Sequence, residues 1–388
     1  MRSIGGLVGA VLALAAHNPV KADSTVDYVT GGGVSSNIFQ DTTALSAAHG
    51  ETKLGLRGTL DGEEGRLAYR LAVSAKEVPR YDFADERTAG VEFGYERDLL
   101  DGVTLTLKGA IEHRRSGDIF LALPGALIGY TREDLKKSGS IGITAGHGGG
   151  KSSLTLGLSD LDRGKAHFTL PLLRPTRLEA DDGLLDLTAG HIRPLLGGEV
   201  GVTVQYRASR IPSRDRKAFD RFPAETLRGS LAYGREIGGG VTLIAEAGLV
   251  KAWSAHLGAS ARDLRPFLKG QATWRPREGL TLTARYTADM QLTGLDDALG
   301  EYVQTVGLSA EKTLTERLKA GIAFEQAYGD WLYYDYRTRT RTFSATLTLA
   351  LGEKHALALE YSRLLRRERD KAADFSVDGL VARLSGSF

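Results

Sequence analysis

The sequence predicts an all-β fold, a transmembrane antiparallel β-barrel of about eighteen strands, with sixteen the neighbouring even count. Three observations predict it: a period-two alternation along nearly the whole chain, connections that alternate short and long, and a last strand ending in phenylalanine. Leu67-Tyr69-Leu71-Val73 alternates with Arg66-Ala68-Arg70-Ala72, and Val103-Leu105-Leu107-Gly109-Ile111 with Thr104-Thr106-Lys108-Ala110-Glu112. Each such segment is a strand with one apolar and one polar face.

Taken in order, the chain opens with Met1-Arg2 and an apolar stretch from Ile4 to Ala16, broken by His17-Asn18-Pro19. That is the pattern of an export signal peptide, and the stretch is too short for a membrane-spanning helix. Residues 1–22 are expected to be the signal, cleaved between Ala16 and Ala22, and residues 23–388 the barrel. Strands are expected near 26–38, 50–60, 65–77, 87–97, 102–114, 138–147, 151–162, 182–192 and 198–209. They continue near 225–235, 240–251, 262–275, 279–290, 301–311, 316–327, 338–351, 354–365 and 375–388.

The connections separate a membrane barrel from a soluble sandwich, which also alternates. Short ones, such as Asp98-Leu99-Leu100-Asp101, Gly148-Gly149-Gly150 and Gly352-Glu353, take turns with long ones, such as 115–137, 163–181 and 210–224. Tight turns at one end and long loops at the other are the habit of outer-membrane barrels. Because lipid offers no hydrogen-bond partners, a spanning sheet must also close on itself. The closing segment, Leu380 to Phe388, places Leu380, Ala382, Leu384 and Phe388 on one face and ends on an aromatic residue, the expected assembly signal.

Composition is consistent with this reading and removes others. The 388 residues carry 50 Lys and Arg against 48 Asp and Glu, a balance that gives no electrostatic case for a nucleic-acid partner. Cysteine is absent, which excludes disulfide scaffolds, thiolate metal sites and cysteine nucleophiles. Mean hydropathy is −0.19, which argues against a helical membrane protein but not against a barrel, half of whose residues face water. The 48 glycines fit turns and the bends of a large tilted sheet, for example at Gly55, Gly94 and Gly157.

The segment Gly31-Gly32-Gly33-Val34-Ser35-Ser36-Asn37-Ile38-Phe39 resembles the opening strand of the β-barrel porin 2 family of outer-membrane proteins. Tyr361-Ser362-Arg363, followed by a charged loop and a strand to Phe388, is similar to that family's end. Ser35 stands where the family pattern usually has an acidic residue. The resemblance implies a channel-like barrel, of a kind discussed beside exopolysaccharide export, and brings no catalytic residues.

With apolar side chains towards lipid, their neighbours would line the lumen. These candidates are Arg57, Arg70, Lys108, Glu112, Arg207, Arg228, Glu246, Lys269, Arg285, Asp289, Glu325, Glu360 and Arg383. Inward placement is expected because Arg or Lys at the lipid midplane costs about 2–4 kcal/mol. The wall would either select solutes by its field or carry cross-strand pairs that neutralise a crowded interior. Its modest basic excess leans towards anionic or sugar-acid solutes. The run 119–130 is unusually apolar for a loop, so Phe120, Leu123, Pro124, Leu127 and Tyr130 would either fold inward and constrict the lumen or form a hairpin on the rim.

These readings make the chain a passive outer-membrane channel for small hydrophilic solutes or polysaccharide. Its expected partners are outer-membrane lipid and lipopolysaccharide, and the barrel assembly machinery at the C-terminal strand. No cofactor, metal or catalytic group is expected. The alternatives are a barrel-embedded lipase, deacylase or protease and a non-conducting scaffold that assists secretion. For the enzyme, Ser254-Ala255-His256 is the nearest nucleophile–base arrangement, and Glu179, Asp181, Asp182, Asp296 and Asp297 are acidic loop positions suited to Ca²⁺ or simply to water.

Overall fold

The computed structural model describes residues 21–123, 126–256, 263–292 and 299–388; residues 1–20 of the expected 1–22 signal, Pro124 and the Asp296-Asp297 pair lie outside the described residues. The chain lays down β1 (Lys21–Ser35), β2 (Ala47–Gly62), β3 (Gly65–Glu77), β4 (Glu86–Leu100), β5 (Val103–Leu123), β6 (Ala126–His147) and β7 (Gly150–Asp162). A two-residue strand, β8 (His167–Phe168), precedes β9 (Asp182–Leu195), β10 (Gly198–Arg210), β11 (Glu225–Ile237), β12 (Val241–Trp253) and β13 (Asp263–Arg277). The wall is completed by β14 (Leu280–Gln291), β15 (Glu301–Thr313), β16 (Leu318–Trp331), β17 (Arg337–Ala350), β18 (His355–Glu368) and β19 (Phe375–Ser387).

Every stave pairs antiparallel with its neighbour in sequence, except that β7 pairs directly with β9 and β8 hangs on the upper edge of β6. The ring closes where β1 meets β19, from Asp27↔Ser387 to Ser35↔Gly379. Val26 and Phe388 exchange backbone hydrogen bonds of 3.2 and 2.9 Å at the seam. The result is a closed antiparallel barrel of eighteen staves, each matching one of the segments expected from the alternation. Tight turns gather at the end that holds both β1's start and β19's finish. One of them, Gly148-Gly149, has φ of 57° and 80°, the left-handed pair that a two-residue hairpin needs.

Burial runs opposite to that of a water-soluble domain. Leu54, Leu231, Leu249, Leu308 and Ile322 are all about half exposed on the outer face. Buried apolar residues concentrate instead in two clusters towards the long-connection end. One gathers Val250, Phe267, Met290 and Tyr302; the other gathers Val78, Tyr81 and Ala84 with Phe39, Phe83 and Leu127.

Three local features differ from the sequence reading. The 115–137 connection is not a loop: β5 and β6 stay paired from Arg115↔Glu133 to Leu123↔Ala126, with a bulge between Ile119 and Leu121. Its Ile, Phe, Leu and Tyr residues favour a pleated surface, and pairing satisfies a backbone that an apolar loop would leave to water. The first strand lies over Lys21–Ser35 rather than 26–38, because Asn37 turns the chain by bonding the Asp41 carbonyl oxygen at 2.5 Å. A short helix, Ser213–Phe219, interrupts the 210–224 connection, where Asp215 gives a reason for it below.

Candidate functional site

Cross-strand register fixes which side chains share a face, since directly opposed residues point the same way. Arg57 opposes Arg70, Arg70 opposes Glu92, and Glu92 opposes Ala110, two residues from Lys108 and from Glu112. Following the ladders round the ring puts Arg207, Arg228, Glu246, Lys269, Arg285, Asp289, Glu325, Glu360 and Arg383 on that same face. The other face carries Leu54, Val73, Leu231 and Leu249. The charged face is the concave one, because its side chains meet across strands that are not neighbours.

Two of these meetings share a construction. Arg383 on β19 reaches over Gly31 of β1 to Glu51 of β2, and also bonds Glu360. Arg285 on β14 likewise reaches over Gly307 of β15 to Glu325 of β16. Glycine keeps each path clear, and at Gly31 the neighbouring backbone itself requires it. A Cβ on Gly31 would press on the Ala382 carbonyl oxygen and stand 3.1 Å from Arg383 Cγ, and one on Gly307 would stand 2.5 Å from Arg285 Nε.

The lumen narrows at the upper end of β14–β15. Pairing between β13 and β14 begins at Leu268↔Ala288 and runs downward, so the two strands part above it. Ala288, Met290 and Tyr302 share parity with the outward Leu282 and Ala284, yet they are buried against Val250, Ala252 and Phe267 from the inner face of β12–β13. The Tyr302 hydroxyl donates to the Pro266 carbonyl oxygen at 2.7 Å. The end of the β14–β15 hairpin therefore lies inside the wall formed by β12 and β13.

Asp289 shows how far inside. Its carboxylate accepts from Arg228 of β11 at 3.1 Å and lies 3.6 Å from Arg207 of β10, which also bonds the Met290 carbonyl oxygen at 3.3 Å. Measured along the wall, β10 and β14 stand about 19 Å apart at about 4.8 Å per stave, further than an arginine side chain extends. Only a hairpin end folded over the lumen brings them together. Asp186 bonds Arg207 at 3.2 Å and accepts from Gln205 at 2.6 Å, and Arg228 lies 4.1 Å over the Phe267 ring.

Elsewhere the wall is less occupied. Among the described residues, Arg70, Lys108 and Lys269 have no carboxylate within ion-pair distance. Arg70, Glu92, Lys108 and Asp186 line a lumen space of about 570 Å³. A second space of about 570 Å³ is lined by Arg57, Arg70, Glu92 and Glu112.

At the long-connection end, ion pairs tie the connections together. Arg132 and Arg163 clasp Asp134 and Glu179, which fastens 163–181 to one face of the β5–β6 hairpin. On the opposite face Phe83 packs over Gly129 and stacks with Phe39 at 5.5 Å. Phe120 and Leu123 are exposed, Leu127 joins that cluster, and Tyr130 pairs in register with Phe168, which meets Phe120 edge-on at 4.7 Å.

The short helix presents Asp215, fully buried, to Arg177 through two bonds of 2.8 and 2.9 Å; the Asp181 backbone N–H donates to it at 2.9 Å. Burial alone would raise this carboxyl, but Arg177, the Asp181 N–H and Arg214 outweigh it and hold Asp215 below the usual carboxylate range. A carboxyl depressed in the folded state contributes its full stability above its unfolded pKa, and loses it as pH falls through the folded value. The 163–181 and 211–224 connections are therefore expected to keep their hydrogen-exchange protection at pH 5 and to lose it progressively as pH falls below about 4, after correction for intrinsic rates. Asp215→Asn should lose most of that protection at both pH values, consistent with about 3 kcal/mol for breaking a buried pair.

Two of the acidic positions considered for Ca²⁺ serve as arginine partners: Glu179 holds Arg132 and Arg163, and Asp181 holds Arg177 and Arg214. Among the described residues no group of three or more His, Asp or Glu could hold a metal ion. Ser254 donates its hydroxyl proton to the Pro223 carbonyl oxygen at 2.8 Å, while the His256 ring meets Arg216 at 3.2 Å rather than Ser254. The inward hairpin end, with Asp186, Gln205 and Phe267, was not anticipated from the sequence. Its signal there is apolar residues, Phe267 and Val250, in the polar phase of their strands.

No family model matches the chain, and no curated protein matches its sequence. Solved structures do match its fold. The outer membrane protein opdK from Pseudomonas aeruginosa aligns with a TM-score of 0.54 at 10% identity, covering 94% of this chain and 99% of that one. The copper transporter OprC aligns at 0.53 and 8%, over 96% and 81%. The ferric enterobactin receptor PfeA from Pseudomonas aeruginosa aligns at 0.51 and 10%, over 96% and 81%. The chain spans 60% of the length of CdiB from Acinetobacter baumannii, another match. At these identities the likeness is one of fold.

Proposed function

We propose that this chain is an outer-membrane β-barrel channel that passes small hydrophilic solutes or polysaccharide through a charged lumen. The observation that carries the reading is the division of faces: every charged candidate shares the concave side, and the convex side presents leucine, valine and isoleucine. An apolar band of about 25 Å is what a bilayer requires of a barrel wall. Eighteen staves also enclose more than side chains alone fill. The fold it shares with outer-membrane proteins agrees with this and does not name a solute.

In this reading the narrowest level is the folded-in end of β14–β15, where Asp289, Arg207 and Arg228 present both signs of charge to a passing solute. The β5–β6 hairpin and the docked 163–181 connection cover part of the mouth. The chain needs no cofactor, residues 1–22 direct export, and the strand ending at Phe388 is what the assembly machinery engages.

Planar-bilayer recording of the folded protein is expected to give stepwise conductance with measurable ion selectivity. A folded barrel that never conducts would leave a scaffold in place of a channel. Deleting 119–130 is expected to raise single-channel conductance. An unchanged value would remove the hairpin from the restriction and leave the β14–β15 end as its source.

A further inference from the structure

The outer face of β16–β18 changes character abruptly towards the long-connection end. On β17 the outward series runs Leu349, Leu347, Ala345, Phe343 and then switches to Arg341 and Arg339. From Leu349 to Phe343 is about 20 Å at about 3.3 Å per residue. The two arginines thus stand at the upper border of the apolar band. Arg367 of β18 lies directly opposite Arg339, and like charges so opposed destabilise a sheet.

No ion pair among the described residues relieves them. The neighbouring Arg337, Arg363 and Arg366 are paired with Asp330, Asp378 and Glu368. Among the described residues, Arg339, Arg341 and Arg367 have no carboxylate within ion-pair distance. A neutral acceptor gathers two of them: Gln326 Oε1 accepts from Arg339 Nη2 and from Arg341 Nε, each at 2.8 Å. Gln326 is itself oriented by donating to the Tyr328 hydroxyl at 2.7 Å, and Arg339 lies 5.0 Å over the Tyr328 ring. The three arginines, with Leu365 and Phe375, line a cavity of about 270 Å³. The carboxylate that borders it, Asp374, is engaged by the Glu368 backbone N–H at 2.8 Å.

This is a pre-assembled, positively charged cradle resting on an apolar wall. We propose that it binds the phosphate of an outer-leaflet lipid, a phosphorylated glycolipid of the lipopolysaccharide type, whose acyl chains lie on the band below. Guanidinium groups match phosphate oxygens in pairs, so one bound phosphate relieves the Arg339–Arg367 opposition. The apolar residues beneath the cradle favour an anion that carries a tail over a free one. The inference rests on the outer-membrane reading above, with the long connections on the outer side.

The test compares the full chain with an Arg339→Gln, Arg341→Gln, Arg367→Gln variant, each folded in mild detergent and titrated with lipid A while native mass spectrometry counts bound lipid. The full chain is expected to retain a single lipid A, and the triple variant to bind it about tenfold or more weakly. Arg337→Gln, which removes an arginine already paired with Asp330, is expected to bind like the full chain. Equal binding by the triple variant overturns the proposal, as does competition by inorganic phosphate at lipid A concentrations, which would make the site one for free anions. A folded barrel found in the outer-membrane fraction that binds no lipid A overturns this inference alone. A barrel absent from that fraction overturns the membrane reading as well.

Discussion

Replacing Asp289 with alanine is expected to widen the channel, raising single-channel conductance by about twofold and shifting selectivity towards anions. One carboxylate holds two guanidinium groups from strands three and four staves away, Arg228 at 3.1 Å and Arg207 at 3.6 Å. Its loss leaves the two arginines facing each other with Asp186 and Glu246 in partial compensation. All three partners are mostly shielded from solvent, so losing the shared carboxylate weakens the folded-in state by about 2 kcal/mol, somewhat less than a fully buried pair. Paired recordings of Asp289→Ala and Asp289→Asn separate charge from shape, because asparagine keeps a hydrogen-bond acceptor. Unchanged conductance and selectivity in both variants would remove the β14–β15 end from the permeation path.

Gly31→Val is expected to prevent ring closure. The valine methyls would occupy the path by which Arg383 crosses β1 to Glu51, and the Cβ alone presses on the Ala382 carbonyl oxygen of the partner strand. Breaking that pair, whose arginine is partly exposed, costs about 2 kcal/mol before any clash, roughly thirtyfold in the ratio of closed to open barrel. The measurement is the fraction that migrates as a compact band in unheated electrophoresis. Gly307→Val disrupts the matching crossing of Arg285 to Glu325 within the wall, away from the seam. It is expected to lower stability while leaving a measurable closed fraction. Equal closure by Gly31→Val and the natural chain would show that the crossing does not govern the seam.

The staves were legible because period two repeats with little interruption, and a strand with one wet face shows its alternation residue by residue. The face of every charged candidate followed from the same parity: Lys108 and Glu112 share a side because they lie four residues apart in one strand. What lay beyond that reach was anything set by contacts between distant staves. The inward end of β14–β15 depends on Arg207 and Arg228 meeting Asp289, and nothing local to 280–291 marks it. The 115–137 segment, expected as a connection, continues the strands, and its Arg132 and Asp134 pair with each other and with the 163–181 connection, a contact no local pattern marks. Glycines were read correctly as a feature of the sheet but not by position. Gly55 and Gly94 have ordinary surroundings, at 3.8 and 3.9 Å from the nearest atom to a Cβ, whereas a Cβ on Gly31 would meet backbone and one on Gly307 the Arg285 side chain.

The join between Val26 and Phe388 uses the same pair of backbone bonds as any rung of the wall. In hydrogen-bonding terms the staves therefore form a cycle without a privileged first member. The covalent chain is one cut through that cycle, and a cut at Gly148-Gly149 with the present ends linked would leave every ladder intact. What marks the natural cut is chemical rather than topological: the stack of Tyr28 on Phe388 at 5.6 Å on the outer face.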